Sequence, residues 1–433
     1  MTVLSADWVL PVDAPPIRGG AVVVEDGKIA AVGSAEELGD GERFVEAAIV
    51  PGFVNAHSHL EYAVYAGFGD GLSDFAAWIA LHTERKRRIG WEEMVASARL
   101  GAAECLRSGV TTVGDCSFSG AAGVAAAELG LRAMVYLEVF GADPEGALEQ
   151  FETLRARVES SLSERVLLGV SPHAPYSASR EVYRVCTELC LPVATHLSES
   201  ASEVRYLHDG GGPWKGIPWL VDPVRTTGTR LLAEARLLGS HLLAAHCVTL
   251  DAEEIELLAE HDVAVVHCPR SNGFVGSGIA PLRELREAGI RVGLGTDSPA
   301  STPSFDLFDE LRTAVFAARA REQRADALSA AEALELVTLG SARALRLDAA
   351  IGSLSPGKRA DLAVVSLADS AYLPWEDPAA AVVFGGSPER VLLTMVDGET
   401  RYRKGETAWH ELTVAASSAR DRLLRTPATR VPM

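Results

Sequence analysis

Eight short apolar segments, each ending in polar residues, recur along the middle of this chain of 433 residues. Stretches of helical period, rich in Ala, Leu, Glu and Arg, separate them. Alternating strands and helices build a parallel sheet, and eight such units in roughly 250–300 residues are typical of a (β/α)8 TIM barrel. The predicted fold class is therefore α/β. The eight segments are IVPGFVNAHSHL, TTVGDCS, RAMVYLEVF, RVLLGVSPHAPYS, PVATHLSES, LLAAHCVTL, VAVVHCP and RVGLGTDSP.

The two ends of the chain have a different pattern, that of short strands joined by tight turns. Asp26-Gly27 and Asp397-Gly398 are each a type I′ hairpin signal. Near the C-terminus, strands are predicted in DLAVVSL, AVVFGG and VLLTMVDGETRYRKGE. Neither end can bury a sheet face alone, so we predict that residues 1–50 and 352–433 pair into one small β-sandwich domain, beside a catalytic barrel of residues 51–351.

Two connections are longer than the others: residues 61–90, after the first segment, and residues 209–227, after the fifth. Long loops at the carboxyl face of a barrel shape the substrate pocket, so we predict that role for both. Ordinary surface insertion is the alternative.

Composition excludes several classes of protein. The net charge of −19 argues against a nucleic-acid surface, which needs Lys and Arg to neutralise phosphates. No apolar window approaches the ~20 residues of a membrane helix, and the first residues lack the basic and apolar regions of a signal peptide. We expect a cytoplasmic protein that meets a small-molecule substrate, with a homodimer as an open alternative. The six scattered cysteines are predicted to be buried thiols.

Residue types that bind metals gather at the carboxyl ends of the predicted strands. Side chains at i and i+2 of a strand point to the same face, so His57 and His59 make half of a metal site. Three imidazoles and one carboxylate suit Zn²⁺ or Fe²⁺ and leave a position for water, whose pKa the ion lowers. Any one of these histidines alone is more often structural, but their convergence at one end is not expected by chance. The residues at these strand ends are His57, His59, His173, His196, Glu199, His246, His267 and Asp297.

Six motifs carry a resemblance that covers nearly the whole chain. PGFVNAHSHL, SPHAPYS, THLSE, AAHC, VHCPRSN and GLGTDSPAS are together similar to the amidohydrolase superfamily, in its branch of cytosine, guanine, chlorotriazine and adenosine-derivative hydrolases. The resemblance implies a metal-dependent deaminase with the fold predicted above. It also implies that the metal ligands are His57, His59, His196 and Asp297.

The same resemblance implies roles for the neighbouring polar residues. It makes Glu199 the proton shuttle, with His246 and Asp297 holding or deprotonating the attacking water. It places His173 and His267 where similar deaminases contact the substrate or support the pocket. A scaffold protein that has lost its metal site is the alternative from another class, but no ligand is missing from this set.

The number of ions is predicted from an absence in the sequence. Two-metal members of the superfamily usually bridge their ions with a carbamylated lysine at the end of strand four. No lysine lies between residues 87 and 214, and the fourth predicted strand ends in Ser171-Pro172-His173. We therefore expect one divalent ion, with Zn²⁺ ahead of Fe²⁺.

The segment HSHLEYAVYAGFGDGLSDFAAWI resembles a narrower group, the aminodeoxyfutalosine deaminases of bacterial menaquinone synthesis. That resemblance implies that Glu61 accepts ribose hydroxyls and that Phe75 or Trp78 stacks on an aromatic ring. The alternatives are a solvated loop carboxylate at Glu61 and aromatic residues that only fasten the loop to the barrel. S-adenosylhomocysteine, methylthioadenosine, adenosine, guanine and chlorotriazines are the competing substrates.

A carboxylated substrate requires a cation near the mouth of the pocket, because a buried carboxylate without a partner is costly. Arginine binds a carboxylate with two parallel hydrogen bonds. We expect one or two of five candidates to do so: Arg85, Arg87, Arg88, Arg205 and Arg270.

Overall fold

The computed structural model describes residues 1–39, 41–369 and 376–425 and contains two β-sheets in these ranges. One sheet has seven strands from the two ends of the chain, and the other has eight strands from the middle. The strands are β1 (Thr2–Val9), β2 (Ile17–Glu25), β3 (Lys28–Ser34), β4 (Glu42–Pro51), β5 (Phe53–Ser58), β6 (Val110–Ser117), β7 (Arg132–Val139), β8 (Val166–Pro172), β9 (Val193–Leu197), β10 (Leu242–His246), β11 (Ala264–His267), β12 (Val292–Leu294), β13 (Leu362–Ser366), β14 (Val391–Val396) and β15 (Glu399–Arg403).

The eight-stranded sheet is the barrel. Strands β5 to β12 pair in chain order, and each is parallel to the next. The sheet closes where Asp297, just after β12, donates its backbone N–H to the carbonyl of His57 at 3.0 Å. The strand residues are buried because side chains fill the interior and helices cover the outside. The predicted (β/α)8 barrel and its eight strands are confirmed.

Helices connect the barrel strands and extend the chain beyond them. Most begin at a Ser, Thr or Asp whose side chain accepts a backbone N–H of the first turn, as Asp74 does at 2.9 Å from Ala77. The helices are α1 (Ala35–Leu38), α2 (Phe75–Lys86), α3 (Trp91–Arg107), α4 (Ala121–Leu129), α5 (Pro144–Val158), α6 (Arg180–Glu188), α7 (Ala201–Asp209), α8 (Gly228–Glu234), α9 (Ala252–Glu260), α10 (Pro269–Phe274), α11 (Leu282–Glu287), α12 (Leu307–Glu322), α13 (Ala330–Glu335), α14 (Ser341–Ala344), α15 (Pro378–Gly385) and α16 (His410–Arg425).

The seven-stranded sheet joins the two ends of the chain in the order β15-β14-β13-β4-β1-β2-β3. Its central seam is the antiparallel ladder between β13 and β4. Both predicted hairpins are present, and all four turn residues have the positive φ of a type I′ turn: 50° and 75° at Asp26-Gly27, 51° and 75° at Asp397-Gly398. The predicted β-domain from both chain ends is therefore present. Its exact boundaries stay a prediction, and residues 370–375 and 426–433 of it lie outside the described ranges.

The C-terminal region differs from its prediction at AVVFGG, which is wrong as a strand. These residues belong to α15, because Asp377 caps the helix by accepting the N–H groups of Ala379 and Ala380, and Pro378 occupies the first turn. The helix packs on α12 and α13 instead of extending the sheet. The long helix α16, absent from the predicted elements, packs on α3.

Two further predictions concern the burial of the cysteine thiols and the presence of membrane-spanning helices. All six cysteines are free thiols and five are buried, but Cys190 is exposed at the end of α6, where the chain turns with a φ of 55°. None of the described helices is long and apolar enough to cross a membrane.

A buried ion-pair network fastens the barrel to the β-domain. Arg132, at the start of β7, donates to both carboxylate oxygens of Asp361 at 2.9 and 3.2 Å. It also donates to Asp397 of the second hairpin at 2.5 Å. Asp361 is 4% exposed, so its charge depends on this arginine. Removing one member of a buried pair costs about 3–5 kcal/mol, because the other charge is left without a partner.

We expect Arg132→Ala to lower the free energy of unfolding by about 3–5 kcal/mol and to lower the thermal midpoint accordingly. The matched control is Arg99→Ala, which removes a surface pair with Glu128 and should cost less than about 1 kcal/mol. Thermal unfolding followed by circular dichroism compares the two. Equal midpoints for the two variants would contradict a stabilising role for Arg132.

Candidate active site

Two histidines at the carboxyl end of β5 begin the site. His57 is the fifth residue of the strand, and His59 follows its last residue. Both side chains are buried, and their rings lie edge to face with centroids 5.1 Å apart. The i and i+2 spacing therefore directs both imidazoles to the inside of the barrel, as the sequence pattern predicts.

His196, on β9, faces this pair. Its Nδ1 lies 2.8 Å from the backbone carbonyl of His173. A carbonyl only accepts, so Nδ1 carries the proton and Nε2 presents a lone pair to the interior. That Nε2 lies 3.3 Å from Nε2 of His59.

Asp297, after β12, completes the group. Its Oδ2 accepts hydrogen bonds from the hydroxyls of Ser271 and Ser301, both at 2.6 Å. Its Oδ1 is left to face the histidines, 3.3 Å from Nε2 of His59 and 3.6 Å from Nε2 of His57. Asp297 has a φ of 59°, a strained conformation for a residue with a side chain, of the kind that clusters at functional sites.

His246 lies at the end of β10, and its ring meets the ring of His57 edge to face, with centroids 5.4 Å apart. Its backbone is also left-handed, with a φ of 72°. The amide oxygen of Asn272 lies 2.9 Å from Nδ1 and accepts a hydrogen bond from its N–H, so Nε2 is again the lone-pair nitrogen. Asn272 belongs to the motif VHCPRSN and sets the orientation of a residue on the neighbouring strand.

The donor atoms fit a divalent metal ion. Those of His57, His59 and His196 all lie within 4.8 Å of one another, as do those of His57, His246 and Asp297. Nε2 of His57 and Nε2 of His246 are buried and have no hydrogen-bond partner, a costly state that a bound cation would relieve. Burial lowers the pKa of His59 to about 3 and that of His246 to about 4. Both imidazoles are thus neutral at pH 7, which is the form that binds metals.

Glu199 lies beside this group, on the turn between β9 and α7. Its carboxylate is 3.8 Å from Nε2 of His246 and is 3% exposed. Burial, together with the charges of Asp297 and Glu203, raises its pKa well above the ordinary value. Its backbone N–H is held by Glu203 at 2.8 Å. Glu199 is therefore a buried carboxyl group with a raised pKa, whose backbone is anchored beside the metal-binding group.

Most of these residues line a cavity at the carboxyl face of the barrel. The first long connection covers it, through the turn at residues 60–65 and helix α2. The lining residues are His59, Tyr62, Phe75, Trp78, Ile79, His82, Lys86, Glu138, His173, Tyr176, His196, Glu199, His246, Asp297 and Ser298.

Two of the four predicted substrate-binding residues line the cavity and two do not. His173 and Trp78 are in the lining. His173 is held by Ser177 at 2.7 Å from its Nδ1, and the indole N–H of Trp78 donates to the carbonyl of Ala300 at 2.9 Å. His267 is buried beneath the lining, where burial lowers its pKa to about 3. Its predicted contact with substrate has no geometric support.

Glu61 also differs from its prediction, because its carboxylate is used inside the protein. It is fully buried and accepts the backbone N–H of Phe118 at 2.5 Å and the hydroxyl of Ser117 at 3.1 Å. It further accepts the N–H and the hydroxyl of Ser119. These bonds fasten the turn after β5 to the end of β6. Glu61 therefore has the geometry of a structural carboxylate and leaves no oxygen for ribose.

None of the five candidate arginines lines the cavity. Arg270 pairs with Glu310 at 2.5 Å, and Arg88 pairs with Glu84 at 2.7 Å. Arg85 lies over the ring of Phe68 at 3.8 Å. Arg87 and Arg205 are exposed. Among the residues that the structure describes, Lys86 is the one lysine or arginine that lines the cavity.

Seven lining residues are absent from the predicted set, and two sequence signals point to some of them. Glu138 lies near the end of the segment RAMVYLEVF, so it follows the same rule of polar residues at strand ends as the predicted ligands. Trp78, His82 and Lys86 recur every four residues and share one face of α2. The seven residues are Tyr62, Ile79, His82, Lys86, Glu138, Tyr176 and Ser298.

Comparison with known proteins agrees with this geometry. The model of the amidohydrolase family matches residues 48–401. A second model, of an imidazolonepropionase-like composite domain of bacteria, matches residues 20–39.

Two named relatives are similar over most of the chain. A 5'-deoxyadenosine deaminase from Methanothermobacter thermautotrophicus is 31% identical over 91% of this chain and 92% of its own length. A 5-methylthioadenosine/S-adenosylhomocysteine deaminase from Syntrophobacter fumaroxidans is 35% identical over 88% of this chain and 87% of its own.

Two solved structures are similar to this chain over nearly its whole length. An adenosine deaminase from Xanthomonas campestris with bound zinc superposes with a TM-score of 0.87 and 27% identity, over 98% of both chains. The atrazine chlorohydrolase TrzN from Arthrobacter aurescens, at 22% identity and a TM-score of 0.83 over 97% of this chain and 100% of its own, shares the fold. Since the family model covers most of the chain and the relatives align along nearly all of it, this protein is an enzyme of the amidohydrolase family.

Proposed function

We propose that this enzyme is a zinc-dependent hydrolytic deaminase of adenine nucleosides altered at the 5′ position. The observation that carries the proposal is the placement of Glu199, a buried carboxyl group with a raised pKa, beside His246 and the metal-binding group. The names of the relatives support the substrate class, because 5'-deoxyadenosine, methylthioadenosine and S-adenosylhomocysteine are all such nucleosides. The zinc in the Xanthomonas deaminase supports the choice of ion.

The metal ligands in this proposal are His57, His59, His196 and Asp297, with His246 beside them. A divalent ion bound there would polarise a water molecule and lower its pKa. The ligands are oriented before the ion binds, because the other nitrogen of His196 and the other oxygen of Asp297 are already held by hydrogen bonds. Such outer partners fix the tautomer and direction of a ligand.

Deamination exchanges the exocyclic amine of the ring for oxygen. Water adds at the carbon that bears the amine, and the ring nitrogen gains one of its protons. The added hydroxyl then gives up the second proton to the leaving amine, so that the carbon–nitrogen bond breaks, ammonia is released and a carbonyl remains. Glu199 takes the first proton from the attacking water and delivers it to the ring nitrogen, a transfer that suits a buried carboxyl group with a raised pKa. His246, as a neutral imidazole, holds the water beside Glu199. His173 and Trp78 border the space for the base.

Aminodeoxyfutalosine is one substrate within this class, and its carboxylate is the feature that distinguishes it. The predicted arginine contacts to that carboxylate lie outside the cavity lining. A guanine deaminase or chlorotriazine hydrolase activity has weaker support, because the solved structures with those names are under 25% identical and share only the fold. The 5′ substituent is therefore to be decided by substrate comparison.

We expect the purified protein to hold about one zinc ion per chain, and His196→Ala to lose it, because His196 supplies one of the donor atoms. Elemental analysis of the dialysed protein measures the metal directly, without reference to activity. His208→Ala is the matched control, since His208 is exposed on α7, and it should retain the ion. Two tightly bound ions per chain, both needed for turnover, would contradict the single-ion site.

We expect Glu199→Gln to reduce kcat by at least about 100-fold, because the amide keeps the shape of the side chain but cannot carry the proton. Zinc content should be unchanged, which separates proton transfer from metal loss. Glu256→Gln, at an exposed position of α9, serves as the control and should keep full activity. Near-normal turnover in Glu199→Gln would move the shuttle role to His246.

We expect the zinc-loaded enzyme to release ammonia from 5′-altered adenine nucleosides with a kcat/KM at least about tenfold higher than from guanine, because binding energy from the sugar contributes to turnover. The panel contains 5′-deoxyadenosine, methylthioadenosine, S-adenosylhomocysteine, aminodeoxyfutalosine, adenosine and guanine. A preference for aminodeoxyfutalosine over adenosine and methylthioadenosine would assign the narrower function. Turnover of guanine or a chlorotriazine, with none of the nucleosides, would refute the proposal.

A further inference from the structure

Lys86 brings an ammonium group into the cavity without an ionic partner. It ends the face of α2 that also carries Trp78 and His82. Its Nζ lies 4.0 Å from the ring centre of Phe118 and 5.5 Å from that of Tyr62. Among the described residues, Lys86 has neither a hydrogen bond nor a salt bridge to a carboxylate. Burial lowers its pKa, and the charges of Glu138 and Glu61 oppose that change.

Glu138 brings a carboxyl group into the same cavity from the end of β7. It is 2% exposed, and its Oε1 has no hydrogen-bond partner. That oxygen lies 3.9 Å from Nε2 of His173, beyond hydrogen-bond distance. Burial raises the pKa of Glu138, and the Lys86 ammonium opposes that change. A buried polar atom left in this state costs free energy until a ligand pairs with it.

Two other functions for this pair fit the geometry less well. A second metal ion held by Glu138, His173 and His196 would need the Nε2 of His196, which already faces His59 in the first group. Its Nδ1 is bonded to the carbonyl of His173. An anionic substrate group at Lys86 would be opposed by the carboxylates of Glu138 and Glu61, which both act on the ammonium.

We propose that Lys86 and Glu138 together bind the two adjacent hydroxyls of the substrate's ribose. This inference rests on the proposed nucleoside deaminase function and names the residues that recognise the sugar. A hydroxyl both donates and accepts, so it can donate to Glu138 and accept from the ammonium of Lys86. Neighbouring hydroxyls on one ring match a donor and an acceptor that line one cavity. The pair replaces Glu61 in the ribose-binding role that the sequence suggests.

Such a site selects nucleosides against free bases. A base without ribose, or a sugar without its hydroxyls, leaves these two polar groups of the cavity without a hydrogen-bond partner and loses the corresponding binding energy. Hydrogen bonds to charged groups of this kind correspond to about 10- to 100-fold in affinity. Both residues would thus determine specificity, while the chemical step stays with Glu199 and the metal ligands.

The test compares inosine with 2′,3′-dideoxyinosine, the deaminated products, which do not turn over. Calorimetry measures their dissociation constants with the zinc-loaded wild type, Lys86→Met and Glu138→Gln. The wild type should bind inosine about 10- to 100-fold more tightly than the dideoxy compound. Each variant should reduce this ratio at least about fivefold, with affinity for 2′,3′-dideoxyinosine nearly unchanged. Lys215→Met and Glu256→Gln, both at exposed positions, are the controls and should preserve the ratio.

Several results would overturn the inference. A wild-type enzyme that deaminates adenosine but binds both products equally would refute ribose recognition here and leave the proposed function intact. Equal weakening of both products in a variant, with retained zinc and thermal midpoint, would assign that residue a structural role. A loss in Lys86→Met confined to S-adenosylhomocysteine, with adenosine unaffected, would show an anion site. Failure to bind or deaminate any nucleoside would refute both proposals.

Discussion

The backbone hydrogen bond from Asp297 to His57 is the contact on which the candidate site depends, because it closes the barrel between β12 and β5. Strands at the two edges of an open sheet would lie far apart. Closure places the carboxyl ends of all eight strands around one axis. His57 and Asp297, which are 240 positions apart in the chain, thus become neighbours at 3.6 Å. His59 enters the same space from the end of β5, and His196 and His246 enter it from strands between β5 and β12.

The direction of each donor is set by a partner outside the site. The carbonyl of His173 holds His196, the amide of Asn272 holds His246, and two serine hydroxyls hold one oxygen of Asp297. Each of these contacts occupies the nitrogen or oxygen that faces away from the site. The other nitrogen or oxygen of the same side chain faces the site and keeps its lone pair. The result is a group of buried lone pairs, a costly arrangement that a bound cation would relieve. Directing these side chains into the site requires left-handed backbone at His246 and Asp297, a strained conformation that costs free energy.

The same low-polarity interior gives the titratable groups their chemical properties. Burial lowers the pKa of His59 and His246 and raises that of Glu199, so these histidines stay neutral and free to bind metal while Glu199 has a higher proton affinity than an ordinary carboxylate. These opposite shifts have one cause, the cost of charge away from water. Helix α2 maintains that environment by covering the cavity with Trp78, His82 and Lys86. The first long connection therefore helps define the pocket.

The sequence alone determined the features that repeat or that depend on local geometry. The eight strands follow from apolar runs of strand length, and the positions of His57, His59, His196, His246 and Asp297 at their ends follow from period and register. Both hairpins follow from Asp-Gly pairs that accept positive φ. The strand predicted from the local pattern AVVFGG is wrong. Asp377 and Pro378, upstream of it, start a helix that packs on α12 and α13.

Only the tertiary structure decided which polar groups face the cavity. Glu61 and Glu138 both follow apolar strand segments, and nothing in their immediate sequence separates them. Glu61 is surrounded by hydrogen-bond donors at the end of β6, whereas the Oε1 of Glu138 meets none. Likewise the ammonium of Lys86 lies over the ring of Phe118, which a different element, strand β6, brings to it. Pairing between distant side chains is settled by packing, which local sequence does not encode.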